Sequence, residues 1–352
     1  MAFHKLAIQN INKETEAAVT ITFELPSFLK DKFSFKAGQY ITLKTNIDGQ
    51  EVRRDYSLCS TPESNELKVA VKAVEDGLFS KYANTTLKTG DILEVAEPNG
   101  RFTFEPDASK TRTIAAFAAG SGITPIMSIA KTILEQEPNS HFILIYGNKT
   151  PKDTIFFKEL LALHHDYIDR FSIQLIFSQS QEDNALFGRI EKSTVNFLLK
   201  NTYKHKTIDS YYLCGPEGMI NTTKEVLKEF GVADENVHFE LFTSPVATET
   251  QSPTEVANDG TTAIKIIVDD EETEFVMSQK QSILDAAIAK HVDAPYSCQG
   301  GICSSCIARI TEGAATMRQN NILTDSELAE GLVLTCQAHP TTPTIVVDYD
   351  DV

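Results

Sequence analysis

Three of the six cysteines in this 352-residue chain fall within nine positions, in the stretch YSCQGGICSSCIARI at 296–310. No other feature restricts the fold as much. One small loop gains little packing from three thiols, so the group points to a disulfide knot, a metal or redox chemistry. The N-terminal MAFHKLAIQNINKETE has no apolar h-region and no small-residue cleavage site. It does not read as a secretory signal, and a cytoplasmic protein is expected. Thiols stay reduced there, which weakens the disulfide reading. The spacing is Cys298-x4-Cys303-x2-Cys306, with Cys336 after 29 intervening residues. Four thiolates at C-x4-C-x2-C…C suit a [2Fe–2S] cluster. Such ligands wrap two irons closely, so the backbone must turn tightly and aim N–H groups at the sulfurs. Gly300 and Gly301 permit that approach. Zinc is the alternative, although its usual CxxC pair occurs only at Cys303/Cys306.

The rest of the chain has to say what a redox centre would serve. Its length exceeds one ordinary domain, and 41% hydrophobic residues is normal for a globular protein. A net charge of −17 argues against a nucleic-acid partner, which needs a basic face. Residues 261–352 carry 14 Asp and Glu against 5 Lys and Arg, a net of −9. That is either a soluble acidic surface or a docking face for a positively charged protein. Residues 113–130 are uncharged and reach the lower length limit of a membrane span. They contain GSGITP and are rich in Ala, Ser and Thr, so a buried strand–turn–helix is expected and no membrane contact.

Composition divides the chain into segments. Residues 1–107 read as all-β, with AVTITFEL, YITLK and ELKVAVKAV as strands between turn signals such as IDGQ, TGD and PNG. Residues 108–244 alternate strands (TIAAFAAG, HFILIYGN, FSIQLIFS, YYLCG) with helices, the pattern of a parallel sheet covered on both faces. Gly231 is placed to end the last of those helices. The Thr-, Ser- and Pro-rich 245–262 reads as a linker. In 263–352, IKIIVDDEETEFVM predicts a hairpin, and Ser282 caps a short helix ahead of the cysteine loop.

Two weaker motifs gain force from this order. Arg54-x-Tyr56-Ser57 is followed by GLFS at 77–80. An arginine fork, a glycine allowing close approach, and Ser80 capping the helix KYANTTL would together suit a pyrophosphate. AAGSGITPIMS at 118–128 has the form G-x-G-x-x-P, which departs from the usual dinucleotide fingerprint and alone is equally an ordinary tight turn. YYLCGPEGM adds a second glycine turn at the carboxyl edge of the same sheet, where open α/β sheets bind ligands. Cys59 reads as core.

CQGGICSSC with VLTCQAHPTTPTIVVDYDD resembles the cluster loop and last strand of plant-type ferredoxins, over residues 263–352. The resemblance implies a β-grasp fold with Cys298, Cys303, Cys306 and Cys336 as ligands. The motifs of residues 1–243 resemble the ferredoxin–NADP reductase superfamily, which implies an antiparallel FAD-binding β-barrel and an α/β NAD(P)-binding domain. By matching position, Arg54 would bind the FAD pyrophosphate, Tyr56 would lie against the isoalloxazine, Ser57 would approach its N5 edge, and Leu58 would join the cofactor-binding residues. Gly77, Leu78 and Ser80 would cradle the pyrophosphate, with Lys72 nearby. Gly120, Gly122 and Thr124 would form the coenzyme's phosphate turn. Cys214, Gly215 and Pro216 would sit beside the nicotinamide, and Phe242 near the flavin. Tyr56, Ser57 and Cys214 would be the catalytic set. The plainer reading of Cys214 is a small buried residue at a strand end.

Over the whole chain, the order of domains resembles the reductase subunits of bacterial phenylacetyl-CoA epoxidases. It implies NAD(P)H oxidation through FAD and a [2Fe–2S] cluster to a protein acceptor, in the first place an oxygenase component. The same relay could serve a desaturase, a hydroxylase or a soluble carrier. A zinc-stabilised, cofactor-free binding module is the reading from another class. Where this family often has Ser-Arg after the third strand of the nucleotide domain, the chain has Ser178-Gln179-Ser180. An amide does not replace a guanidinium on the 2′-phosphate of NADPH, while Lys149 offers charge nearby, so NADH and NADPH both stay open.

Overall fold

A computed structural model describes residues 2–242 and 260–352. The linker read over 245–262 lies outside the described residues except at its end, where the first strand of the C-terminal sheet has already begun at Thr261.

The first sheet contains β1 (Phe3–Thr15), β2 (Ala18–Phe23), β3 (Tyr40–Ile47), β4 (Gln50–Ser57), β5 (Leu67–Lys72) and β6 (Ile92–Ala96), in the order β4-β3-β6-β1-β2-β5. A bridge between Leu58 and Val69 joins the end of β4 to β5, so the sheet curls closed. Alternating residues such as Ile21, Leu43, Val69 and Val95 fill its interior. Asp48 and Gly49 take positive φ in the β3–β4 turn, as IDGQ suggests. Helix α1 (Leu78–Thr85) follows β5. Here one expectation fails: Ser80 is the third residue of this helix and not its cap, a position held by Gly77. Its hydroxyl instead donates to the Gly77 carbonyl and accepts the Val74 N–H, each at 3.2 Å. It closes the loop on itself because the helix starts earlier than the run KYANTTL implies.

The second sheet contains β7 (Thr113–Ala119), β8 (His141–Asn148), β9 (Phe171–Phe177), β10 (Ala185–Phe187), β11 (Ser210–Gly215) and β12 (Val237–Leu241). All are parallel, in the order β10-β9-β8-β7-β11-β12. Helices α2 (Ile123–Gln136), α3 (Phe157–Asp166), α4 (Lys192–Phe197) and α5 (Glu217–Glu229) make the crossovers. The uncharged 113–130 stretch is thus β7, a turn and the start of α2, and no described helix is long and apolar enough to cross a membrane. Gly231, at φ +77, ends α5 with its own N–H on Lys228 and the Val232 N–H on Leu227. From β7 the chain first builds outward on one side through β8, β9 and β10, then crosses to β11 on the other. The order therefore reverses at β7/β11, and the carboxyl ends of those strands form the crevice where such sheets bind ligands. Phe102 and Phe104 pack with Ile126, Met127 and Tyr212, so barrel and parallel sheet share one continuous core.

The C-terminal unit contains β13 (Thr261–Val268), β14 (Glu271–Ser278), α6 (Ile283–Ala289), β15 (Ile307–Glu312), β16 (Ala315–Met317), α7 (Asp325–Ala329), β17 (Leu332–Leu334), β18 (Ala338–Pro340) and β19 (Thr344–Asp348). Its main sheet runs β14-β13-β19-β15-β17, with β13 and β19 parallel. The β13–β14 hairpin turns on Asp269 and Asp270, both at positive φ. The Ser282 hydroxyl caps α6 by accepting the Asp285 N–H, as expected. A separate core of Ile264, Ile266, Leu284, Leu334 and Val347 holds this unit together.

Candidate active site and metal centre

Strand β4 ends the barrel sheet with Arg54 exposed, Tyr56 half-buried and Ser57 buried. The Tyr56 ring lies 5.5 Å from that of Phe79, on α1, and its phenol is pushed upward by burial. Leu58 is fully buried and donates its N–H to Gln39. A Cβ on Gly77 would lie 2.2 Å from Ser80 Oγ and 2.5 Å from Val74 Cγ2, so only glycine fits the turn before α1. Val74 and Leu78 expose apolar surface beside that turn, at 55% and 37%. An exposed guanidinium, a helix start of bare N–H groups and exposed apolar side chains fit one end of a flavin dinucleotide.

The parallel sheet brings its own turns to the β7/β11 crevice. Gly120 has φ +56, and a Cβ there would stand 3.3 Å from Lys72 Nζ. Burial, then the neighbouring charge of Lys149, lowers the Lys72 pKa. Two cations therefore converge on this turn, and Lys149 stands with Lys72. A Cβ on Gly122 would fall 2.1 Å from the Cys214 carbonyl oxygen, so α2 packs directly onto the end of β11. Thr124 is buried and donates to the Ser121 carbonyl at 3.1 Å, bracing the turn from inside. Gly215, at φ +151, follows Cys214, and Pro216 is the exposed N-cap of α5. Cys214 is wholly buried and its thiol is pushed well up, first by burial and then by Glu240. Cys59 is likewise core, its thiol donating to the Lys68 carbonyl at 3.3 Å. Phe242 is half-buried against the shared core.

Glu240, which the motifs do not reveal, joins the two halves. It pairs in register with Cys214 and accepts the Ser57 hydroxyl at 3.2 Å. Burial raises its pKa to about 8; the Ser57 hydrogen bond opposes the shift and the Asp55 charge adds to it. Ser57 and Cys214 thus lie at one seam beside the Glu240 carboxyl, whose pKa burial raises, while the Tyr56 ring packs on Phe79. Nothing local announces Glu240, because its partner is 183 positions away.

In the C-terminal unit the cysteines form two pairs. Cys298 shares a thiol hydrogen bond with Cys303, and Cys306 shares one with Cys336. The Gly300 N–H donates to Cys298 Sγ at 3.3 Å, with Ile302 and Cys303 N–H groups behind it. Gln337 Nε2 stands 3.7 Å from Cys336 Sγ. The Cys303 contact leads these in holding the Cys298 thiol down to about 6, while its bond to Cys336 leads in raising Cys306. Among the described residues no three Cys, His, Asp or Glu side chains are set around a single ion. Two thiol pairs bedded in N–H donors fit a two-iron centre better than one zinc.

Comparison with known proteins agrees with this division. Residues 5–104 match the oxidoreductase FAD-binding domain, 117–225 the oxidoreductase NAD-binding domain, and 266–341 the 2Fe-2S iron-sulfur cluster binding domain. The chain is 39% identical over 350 residues to one of the subunits of 1,2-phenylacetyl-CoA epoxidase from Escherichia coli (strain K12), covering 99% of this chain and 98% of that one. It is 32% identical to the ferredoxin reductase component of 3-ketosteroid-9-alpha-monooxygenase from Rhodococcus rhodochrous, over 98% and 96% of the two chains. Phthalate dioxygenase reductase shares the fold, with a TM-score of 0.61 and 23% identity over 99% of this chain and 98% of that structure. The chain belongs to the family of iron–sulfur flavoprotein reductases that carry FAD-binding, NAD-binding and plant-type [2Fe–2S] domains on one polypeptide.

Proposed function

We propose that this reductase supplies electrons to the oxygenase component of a phenylacetyl-CoA epoxidase, acting in the cytoplasm with its thiols reduced. When bound, FAD accepts an electron pair from NADH or NADPH and the [2Fe–2S] cluster passes electrons on singly. Residues 1–107, 108–244 and 263–352 serve as the FAD, coenzyme and cluster domains. Arg54 takes the FAD pyrophosphate on its fork, with Gly77, Leu78 and Ser80 shaping the turn beneath it. Tyr56 lies by the isoalloxazine, the backbone at Leu58 borders the flavin, and Ser57 points to its reactive edge. Gly120, Gly122 and Thr124 form the coenzyme turn with Lys72 beside it, and Cys214, Gly215 and Pro216 border the nicotinamide. Cys298, Cys303, Cys306 and Cys336 hold the cluster.

The Ser57–Glu240 contact carries this reading. It sets the end of barrel strand β4 against the carboxyl edge of the parallel sheet beside Cys214. Two ligands bound to those edges would meet there with water excluded. The test is anaerobic titration of the purified protein with NADH and NADPH, followed by flavin absorbance and by paramagnetic resonance of the reduced cluster. Both signals should appear in order. Bleaching of the flavin with no cluster signal would reject the relay. Cys306→Ser should abolish electron delivery to the oxygenase subunits while ferricyanide reduction persists; equal loss of both would make the cluster structural. If ferricyanide reduction is intact but epoxidase oxygenase subunits receive no electrons, the acceptor is a different one.

A further inference from the structure

Tyr146, near the end of β8, is fully buried. A phenol at that depth needs a partner for its hydroxyl. It donates to the Gly120 carbonyl at 2.9 Å, and the Ile155 carbonyl stands further off at 3.4 Å. One proton serves one strong bond, and the shorter contact takes it. The Gly120 carbonyl also accepts the Ile123 N–H at the start of α2, so both of its lone pairs are engaged.

That anchoring has a consequence through the peptide plane. In a planar trans peptide the C=O and the following N–H point in opposite directions. Fixing the Gly120 oxygen toward Tyr146 in the core therefore turns the Ser121 N–H the other way, into the β7/β11 crevice. Tyr146 adds to the hold of the Ile123 N–H on this carbonyl, which matters because a glycine at φ +56 reverses its peptide at little steric cost. The reversed plane would present a carbonyl oxygen to the crevice, beside Lys72 and Lys149, and repel an anion.

We propose that the Tyr146 hydroxyl is a positioning residue for the coenzyme: it touches no ligand, but by holding the Gly120 carbonyl it keeps the turn's N–H groups facing the pyrophosphate of NAD(P)H. The proposal rests on the reading that this turn is where the pyrophosphate binds. Tyr146→Phe keeps the ring and its packing and removes the hydroxyl's bond to Gly120 together with its weaker contacts to the Ile155 carbonyl and the Asn148 side chain.

The test measures binding of ADP-ribose, NAD+ and NADP+ to the cofactor-loaded protein by calorimetry, with steady-state kinetics alongside. ADP-ribose has the pyrophosphate without the nicotinamide, so it reports on the turn alone. In Tyr146→Phe, Kd should rise about tenfold, the factor a lost hydrogen bond commonly gives. The rise should be the same for ADP-ribose as for the coenzyme the protein uses. KM should rise with it, while kcat, flavin content and the visible spectrum stay as in the wild type. A lower melting temperature with unchanged Kd would mean the bond is merely structural and would overturn the proposal. If the wild type binds coenzyme but not ADP-ribose, the placement of the pyrophosphate fails first and the proposal with it. Should Tyr146→Phe not fold, Tyr146→Met, which also fills the core without a hydroxyl, takes its place: a comparable loss of ADP-ribose affinity supports the proposal, and unchanged affinity rejects it.

Discussion

Glu240 and Ser57 meet across 183 positions of sequence, and burial raises the Glu240 pKa to about 8 from an ordinary value of 4.5. A raised folded-state pKa means the folded protein holds this proton more tightly than the unfolded chain. The associated stability is fully present below about 4.5 and is lost as pH rises through about 8. Glu240→Gln removes the titration. The melting temperature of the wild type should therefore fall relative to the variant between about pH 5 and about pH 9, and a constant difference would show that the carboxyl is ionised throughout. Gly122 poses a steric question of the same size. Its φ of −61 is open to any residue, but a methyl group would meet backbone at 2.1 Å. Gly122→Ala should cost about 1–3 kcal/mol by overpacking, measured by denaturant unfolding, and should weaken coenzyme binding as α2 shifts from β11. Such residues mark the limit of what sequence discloses. The cysteine group Cys298, Cys303 and Cys306 is legible because its spacing sits in one short window. Glu240 and Tyr146 are not, because each acts through a partner brought close only by the tertiary fold.

Elements are legible in proportion to how one-sided their surroundings are. The parallel strands β7 and β8 are buried enough to read as near-continuous apolar runs, and α5 announces its end with Gly231. β1 and β4 do not stand out. β1 slips register twice against β2, and β4 (QEVRRDYS) sits at the end of the sheet order with charges along its length. Helix α1 is legible as a helix but not in where it starts, and the difference bears on function. Read as a cap, Ser80 would offer its oxygen to the helix N–H groups. Placed inside the helix, it ties Val74 to Gly77 and leaves those N–H groups open to an anion. Ser80→Ala should then loosen the 74–77 loop by about 1–2 kcal/mol for two lost hydrogen bonds. The readout is faster loss of FAD on dialysis with the iron content unchanged. Equal retention of FAD would separate this loop from the flavin site.

At the scale of the molecule, charge is the property that a partner meets first. The chain carries −17, of which residues 261–352 hold −9, leaving −8 on residues 1–260. The chain forms two compact units, His4–Thr243 with a net charge of −5 and Met1–Phe3 with Ser244–Val352 at −12, so each unit is separately acidic. In the C-terminal unit the Asp350 carboxylate accepts the N–H groups of Asp269 and Asp270, which gathers three acidic residues at one hairpin. A basic acceptor would be drawn to such a surface, and an anionic one repelled. Steering of this kind accelerates encounter by about 10- to 1,000-fold and fades as salt shortens the Debye length below about 10 Å. The two classes of acceptor should therefore respond to salt with opposite sign. Raising the ionic strength should slow second-order electron delivery to the oxygenase component and speed reduction of ferricyanide, a small anion. If delivery to the oxygenase is insensitive to salt, or quickens with it as ferricyanide does, the acidic surface serves solubility and docking is governed by shape and apolar contact.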